Sequence, residues 1–115
     1  MKDINGKIQY NGKEYKLVFN LNVMEAIQDE YGTIDKWAKL TDGSDGEPNA
    51  KAVIFGFREM LNEGIDMENE EAGTDIKPFS LKQVGRIITE VGLLNATRTL
   101  NDTVTESVKG DEKNV

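Results

Sequence analysis

The first twenty residues alternate between apolar and polar side chains around an Asn-Gly pair. Asn11-Gly12 is a strong signal for a two-residue hairpin loop, because both central positions of a type I′ turn need positive φ. The register that follows puts the large apolar residues other than Val18 on one face, which must pack on helices, and leaves the other face wet. The predicted pairs include Tyr10 with Lys13, Ile8 with Tyr15, Gly6 with Leu17, and Ile4 with Phe19.

Apolar residues then recur at helical spacing in five segments. The predicted helices are 21–31, 34–40, about 50–63, 81–91 and 93–108. Either Asn20 or Asn22 can cap the first helix, and Ser80 begins a capping box for the fourth. Gly64 is the predicted stop of the third helix, and Gly92 is either a C-cap or a kink. These signals predict an α+β fold in which an N-terminal β-hairpin packs on four to five α-helices.

The remaining segments are rich in glycine and charge. Residues 41–49 have the composition of a loop. Residues 65–78 hold Asp66, Glu68, Glu70, Glu71 and Asp75 against a single lysine, which predicts a mobile acidic loop. Residues 109–115 are expected to be a disordered tail. The domain prediction is therefore a single α+β domain over residues 1–108.

Composition narrows the function classes. The chain has 115 residues, no cysteine and no histidine, which removes disulfides, thiolate metal sites and the commonest general base. Its 14 basic against 21 acidic residues give a net charge of −7, a poor match to a phosphate backbone. The longest apolar run, 52–57, is far too short to cross a bilayer, and the N-terminus lacks the apolar core of a signal peptide. A soluble intracellular protein that binds neither nucleic acid nor membrane is expected.

Candidate chemical motifs give no catalytic, cofactor or metal site. Residues 42–47 loosely resemble a calcium loop, but Asp45 is out of phase and Val53 stands where a glutamate ligand is needed. Phosphate-binding loops and a nucleophile elbow are absent from the sequence, and 21 acids cannot be sorted into a catalytic pair without geometry. The sequence predicts that the protein is not an enzyme and needs no cofactor.

Three large side chains are candidates for contact with a partner: Trp37, Phe57 and Leu100. They lie on apolar stripes of predicted helices, and aromatic residues are enriched at binding hot spots. For each one, the simpler interpretation is a core residue, and both interpretations stay open at this point.

The order of elements resembles a known family. After the hairpin come LNVMEAIQDEYG, a short helix with Trp37, a helix ending Leu61-Asn62-Glu63-Gly64, an acidic insertion, and a helix that begins at Phe79–Val84. Over roughly residues 10–95, this order is similar to the small tail assembly chaperones of long-tailed bacteriophages and prophages, especially those of Gram-positive hosts.

The resemblance implies a non-enzymatic protein that acts in the cytoplasm of the host bacterial cell. It would bind the tape measure protein, keep it soluble during tail assembly, and recruit tail tube protein; self-association is compatible with this role. The alternatives are a structural head–tail or tail-completion protein of a phage or prophage, and an acidic regulator that mimics nucleic acid. A hydrolase ranks last.

Overall fold

The computed structural model describes residues 5–113 except residue 45, and side chains from residue 6 to 108 with the same exception. It confirms the α+β class: a two-stranded antiparallel hairpin and five helices form one small domain. The elements are β1 (Asn5–Tyr10), β2 (Lys13–Val18), α1 (Leu21–Tyr31), α2 (Ile34–Asp42), α3 (Ala50–Ala72), α4 (Leu81–Val91) and α5 (Leu93–Lys113).

The hairpin has the predicted loop and register. Asn11 and Gly12 both have positive φ, 51° and 74°, as a type I′ turn requires. The observed pairs are Gly6 with Leu17, Lys7 with Lys16, Ile8 with Tyr15, Gln9 with Glu14, and Tyr10 with Lys13. The predicted pair Ile4–Phe19 lies outside the described residues. Val18, assigned to the wet face, is buried instead, because the end of β2 lies against α3.

The third helix is longer than predicted. It continues through Gly64 to Ala72 and ends at Gly73, whose φ is 68°. Gly64 is not a stop: a side chain there would overlap the backbone carbonyl oxygen of Lys16. The residue is small because α3 and β2 approach closely, and the spacing of apolar residues gives no sign of that approach.

The prediction of a loop over 65–78 is wrong for residues 65–72, whereas residues 73–78 have neither helix nor strand, and their mobility stays a prediction. Residues 65–72 are helical. Beyond them, the side-chain amide of Asn69 exchanges two hydrogen bonds with the backbone of Ile76, both 2.9 Å long. Two turns earlier on the helix, Asn62 does the same with Phe79, at 3.0 and 2.9 Å. Residues 73–80, here called the strap, are thus tied to α3.

Helix caps follow the sequence closely. Asn20, not Asn22, caps α1 by accepting from the amide of Val23 at 3.2 Å. Ser80 and Gln83 form the predicted capping box of α4. Gly92 is a C-cap, with φ of 100°, and only this residue separates α4 from α5.

The core lies between the hairpin and the five helices. Its members are Ile8, Leu17, Phe19, Val23, Ile27, Trp37, Ala52, Val53, Phe57, Met60, Leu61, Val84, Ile87, Ile88, Ala96, Leu100 and Val104. The backbone of α5 is helical to Lys113. The predicted disordered tail covers residues 109–115. Their side chains, and the backbone of residues 114 and 115, lie outside the described part of the chain. The disorder of this tail stays a prediction.

Candidate partner-binding groove

The three candidate contact residues are all in the core. Trp37, Phe57 and Leu100 have no exposed surface. The indole nitrogen of Trp37 donates to the carbonyl oxygen of Ala52 at 3.0 Å, and its ring lies where a side chain at position 56 would be. In this conformation none of the three can touch a partner, and a role in partner binding, which stays a prediction, needs the core to open.

Other apolar side chains are exposed, and two of them are adjacent. Leu93 and Leu94, in the first turn of α5, are 41% and 75% exposed. The remaining exposed large apolar residues among those described are Leu21, Leu81 and Val108. Exposed apolar residues scattered singly are ordinary, whereas a contiguous group with a concave neighbour marks a binding surface.

Leu93 borders two neighbouring cavities. The first, about 220 Å³, lies between the first turns of α3 and the second half of α4. The second, about 500 Å³, continues past the α2–α3 connection. The first is lined by Ala50, Val53, Ile54, Gly85, Ile88, Thr89 and Leu93; the second by Lys39, Leu40, Glu47, Pro48, Asn49, Ala50 and Leu93. The two cavities meet at Ala50 and Leu93, and together they are here called the α3–α4–α5 groove.

Small residues keep the groove open. Gly85 lies in the middle of α4, and a methyl group there would meet only the Cδ1 atom of Ile54, at an ordinary 3.6 Å. Packing therefore does not require glycine at this position, unlike Gly56 and Gly64, where a methyl group would overlap a neighbour. Glycine inside a helix costs about 1 kcal/mol relative to alanine. The visible consequence of Gly85 is a deeper groove.

The first cavity of the groove is apolar apart from Thr89, and the hydroxyl group of Thr89 is satisfied. The hydroxyl of Thr89 donates to the carbonyl oxygen of Gly85 at 2.8 Å, so it makes no demand on a ligand. Charged side chains line only the second cavity, where Lys39 and Glu47 lie. An apolar floor with charges at one end suits the apolar face of an amphipathic segment better than a small polar substrate.

The described residues contain no group of three or more carboxylates placed to hold a metal ion. In the loop that resembles a calcium site, the carboxylate of Asp42 accepts from both the hydroxyl and the amide of Ser44. The hydroxyl, and then the amide, lower the pKa of Asp42 below its ordinary value of 3.8. The hydrogen bonds of this carboxylate therefore lie within its own turn.

Among the residues described, no helix combines the length and apolar character needed to cross a membrane.

Two buried polar atoms have no hydrogen-bond partner within the described part of the chain: the hydroxyl of Tyr31 and Nε of Arg58. The Tyr31 ring meets Phe55 edge-on, with centroids 5.6 Å apart. Burial, and then the charge of Glu30, raise the pKa of Tyr31 above its ordinary value of 10.0. Its hydroxyl therefore keeps its proton at neutral pH, and neither residue lines the groove.

Two features of the sequence, other than the apolar stripes, correspond to the groove. Gly85 interrupts an otherwise strong amphipathic helix, and Leu93-Leu94 puts two large apolar residues side by side, where they project about 100° apart around the helix. Which part of each stripe stays uncovered depends on tertiary packing.

Comparison of the chain with family models, curated proteins and solved structures finds no match.

Proposed function

We propose that the protein is a non-enzymatic tail assembly chaperone that binds the tape measure protein of a long-tailed phage or prophage and keeps it soluble during tail assembly. The open, apolar α3–α4–α5 groove is the observation that carries this proposal. The resemblance of the element order to that family supplies the identity of the partner.

The shape and chemistry of the groove suit a helical ligand. Helix-in-groove recognition places apolar side chains spaced three or four residues apart into a depression between helices. Here the depression lies among α3, α4 and the first turn of α5, with an apolar floor. The net charge of −7 keeps a loaded complex soluble by repulsion between complexes. In this proposal the protein works in the host cytoplasm and recruits tail tube protein to the tape measure protein that it holds.

Co-expression tests the proposal. The protein is produced together with a helical fragment of a tape measure protein that is insoluble alone, and the soluble fraction is assayed for the fragment. Leu93→Lys places a charge at the rim of the groove and should abolish solubilisation. Leu81→Lys is the matched control, because Leu81 is similarly exposed, 47% against 41%, but does not line the groove.

A fragment that stays insoluble beside folded wild-type protein would overturn the proposal. Equal loss of solubilisation in the Leu81 and Leu93 variants would show that the groove is not the binding surface. Both variants are first checked by circular dichroism, so that loss of binding is not confused with loss of fold.

A further inference from the structure

The inner face of α5 is unusually polar for a helix that completes a core. Its buried residues are Ala96, Thr97, Leu100, Thr103, Val104 and Ser107, so half of them carry hydroxyl groups. In α4, by contrast, every buried residue is a valine or an isoleucine. Half of the buried residues in the described part of α5 therefore carry a hydroxyl group, whereas none of those in α4 does.

The two threonines do not depend on the rest of the domain for hydrogen bonds. The hydroxyl of Thr97 donates to the carbonyl oxygen of Leu93 at 2.5 Å, and that of Thr103 donates to Thr99 at 2.7 Å. Both bonds lie within α5 and survive if the helix moves away as a unit. Removal of α5 would leave neither threonine unsatisfied, which lowers the cost of undocking.

Two side-chain hydrogen bonds join α5 to the β2–α1 connection and to α2. The hydroxyl of Ser107 donates to the carbonyl oxygen of Phe19 at 3.1 Å. The hydroxyl of Thr41 in α2 lies 3.5 Å from the side-chain oxygen of Asn101, at the outer limit of a hydrogen bond.

A single glycine joins α5 to α4. Gly92 has φ of 100° and ψ of 131°, a combination open essentially only to glycine. The last backbone hydrogen bond of α4 is donated by the amide of Gly92. The first backbone hydrogen bond of α5 is accepted by the carbonyl oxygen of Gly92. Rotation about this one residue can swing α5 without breaking the hydrogen bonds inside either helix.

We infer that α5 is a hinged placeholder, and that an amphipathic helix of the binding partner takes its place against the domain. The inference rests on the proposed function, because it names how the partner helix is held. The α5 slot, formed by β1, β2, α2, α3 and α4, already accommodates a helix. Leu93, directly after the hinge, borders the α3–α4–α5 groove, so the groove adjoins the hinge end of the slot.

The α5 side chains in the slot describe the helix that it accepts. Ala96, Leu100 and Val104 are spaced at i, i+4 and i+8, and small hydroxyl residues flank them. The partner helix needs apolar residues at the same spacing, with small residues beside them. It displaces α5 when its apolar stripe is broader than the apolar stripe of α5. A peptide with the sequence of residues 93–108 is therefore a defined probe for the vacated slot.

A disulfide can lock the placeholder. The chain has no cysteine, so Thr41→Cys with Asn101→Cys creates a single pair at the point where the two side chains meet. The oxidised protein keeps α5 docked, and the reduced form of the same protein is its matched control. An intact fold in both states is checked by circular dichroism.

A second substitution loosens the placeholder from the other side. A methyl group at Gly6 would overlap the hydroxyl oxygen of Thr103 and lie 3.1 Å from Cγ2 of Thr99. Gly6→Ala should therefore push α5 off β1. Thr103→Ala is the control, because it removes the hydroxyl without adding bulk.

Binding of a fluorescent 93–108 peptide to the full chain decides the matter. The inference predicts an affinity at least about tenfold weaker in the oxidised than in the reduced double-cysteine protein, and at least about tenfold tighter in Gly6→Ala than in wild type, since apparent affinity scales with the open fraction. In Gly6→Ala, the rate of hydrogen exchange should increase more in α5 than in α3.

Three results would overturn the inference. In the first, the peptide binds the oxidised and reduced proteins equally. In the second, it binds none of the oxidised, reduced and Gly6→Ala proteins. In the third, Gly6→Ala forms a dimer that excludes the peptide because a second copy fills the slot.

The tape measure fragment separates this inference from the proposed function. If the fragment is solubilised equally by the locked and unlocked proteins, the function stands and the placeholder fails. If neither solubilises it while the peptide follows the lock, the placeholder stands and the function fails.

Discussion

Glycine has two opposite roles inside the helices of this molecule. At Gly64 a methyl group would overlap the carbonyl oxygen of Lys16, whereas at Gly85 it would make an ordinary contact with Ile54. Gly64→Ala should lose roughly 1–3 kcal/mol of stability through overpacking. Gly85→Ala should gain about 1 kcal/mol through helix propensity. Urea unfolding of the two variants measures both, and a similar effect of the same sign in both would contradict this account of α3 and α4.

The hairpin loop gives a second prediction at this scale. Gly12 has φ of 74°, and a methyl group on its Cα would meet no atom within 4 Å, so a substitution there is strained by the backbone alone. Gly12→Val should cost about 1–2 kcal/mol, since left-handed backbone is unfavourable for a side chain with a branched Cβ. Gly12→Asn is the control, because asparagine tolerates this region. Unchanged thermal unfolding of the valine variant would show that the type I′ turn is wrong.

Tyr31 makes stability depend on alkaline pH. Its pKa is raised above 10.0 in the folded state, so its contribution to stability is fully present below about pH 10 and is lost as the pH rises through the folded-state pKa. Tyr31→Phe also removes a buried hydroxyl without a partner in the described residues. Urea unfolding should show a variant at least as stable as wild type near pH 7 and a smaller loss above about pH 10. An equal loss in both proteins would contradict this assignment.

Among the elements, the strap has the least obvious cause of order. Asn62 donates to the carbonyl oxygen of Phe79 and accepts from its amide. Asn62→Asp keeps the size and the acceptor but turns the donor into an oxygen that faces a carbonyl. The variant should lose about 1–3 kcal/mol, and hydrogen exchange should quicken in residues 73–80. Asn11→Asp, at the exposed hairpin turn, is the control because aspartate also tolerates left-handed backbone, and equal losses would show that the strap does not depend on Asn62.

Local signals account for the elements that the sequence predicted correctly. Asn11-Gly12 specifies its turn through backbone preference, and Ser80 with Gln83 begins α4 through hydrogen bonds three residues apart. The end of α3 could not be predicted in this way. Gly64 is a stop signal when only its neighbours are considered, and its actual role depends on β2, which is remote in sequence. The strap also depends on contacts outside its own segment.

At the scale of the whole molecule, the sequence predicted the stripes but not which parts of them stay exposed. Trp37, Phe57 and Leu100 are large residues on their stripes, and the close assembly of five helices and a hairpin buries all three. The groove is left where Gly85 and Ala50 are too small to fill the space beside Leu93. Its position results from the packing of three helices, which no single periodicity contains.

A helical partner is proposed to bind in the α3–α4–α5 groove. This is tested by the affinity of wild-type protein and Gly85→Met for a soluble peptide from one helix of the tape measure protein, with the stability of each protein measured in parallel. A methionine at position 85 enters the groove from its floor, beside Ile54 and Leu93. Gly85→Met should be at least as stable as wild type and should bind the peptide at least about tenfold more weakly. Unchanged affinity in a folded, stable Gly85→Met protein would contradict this proposal.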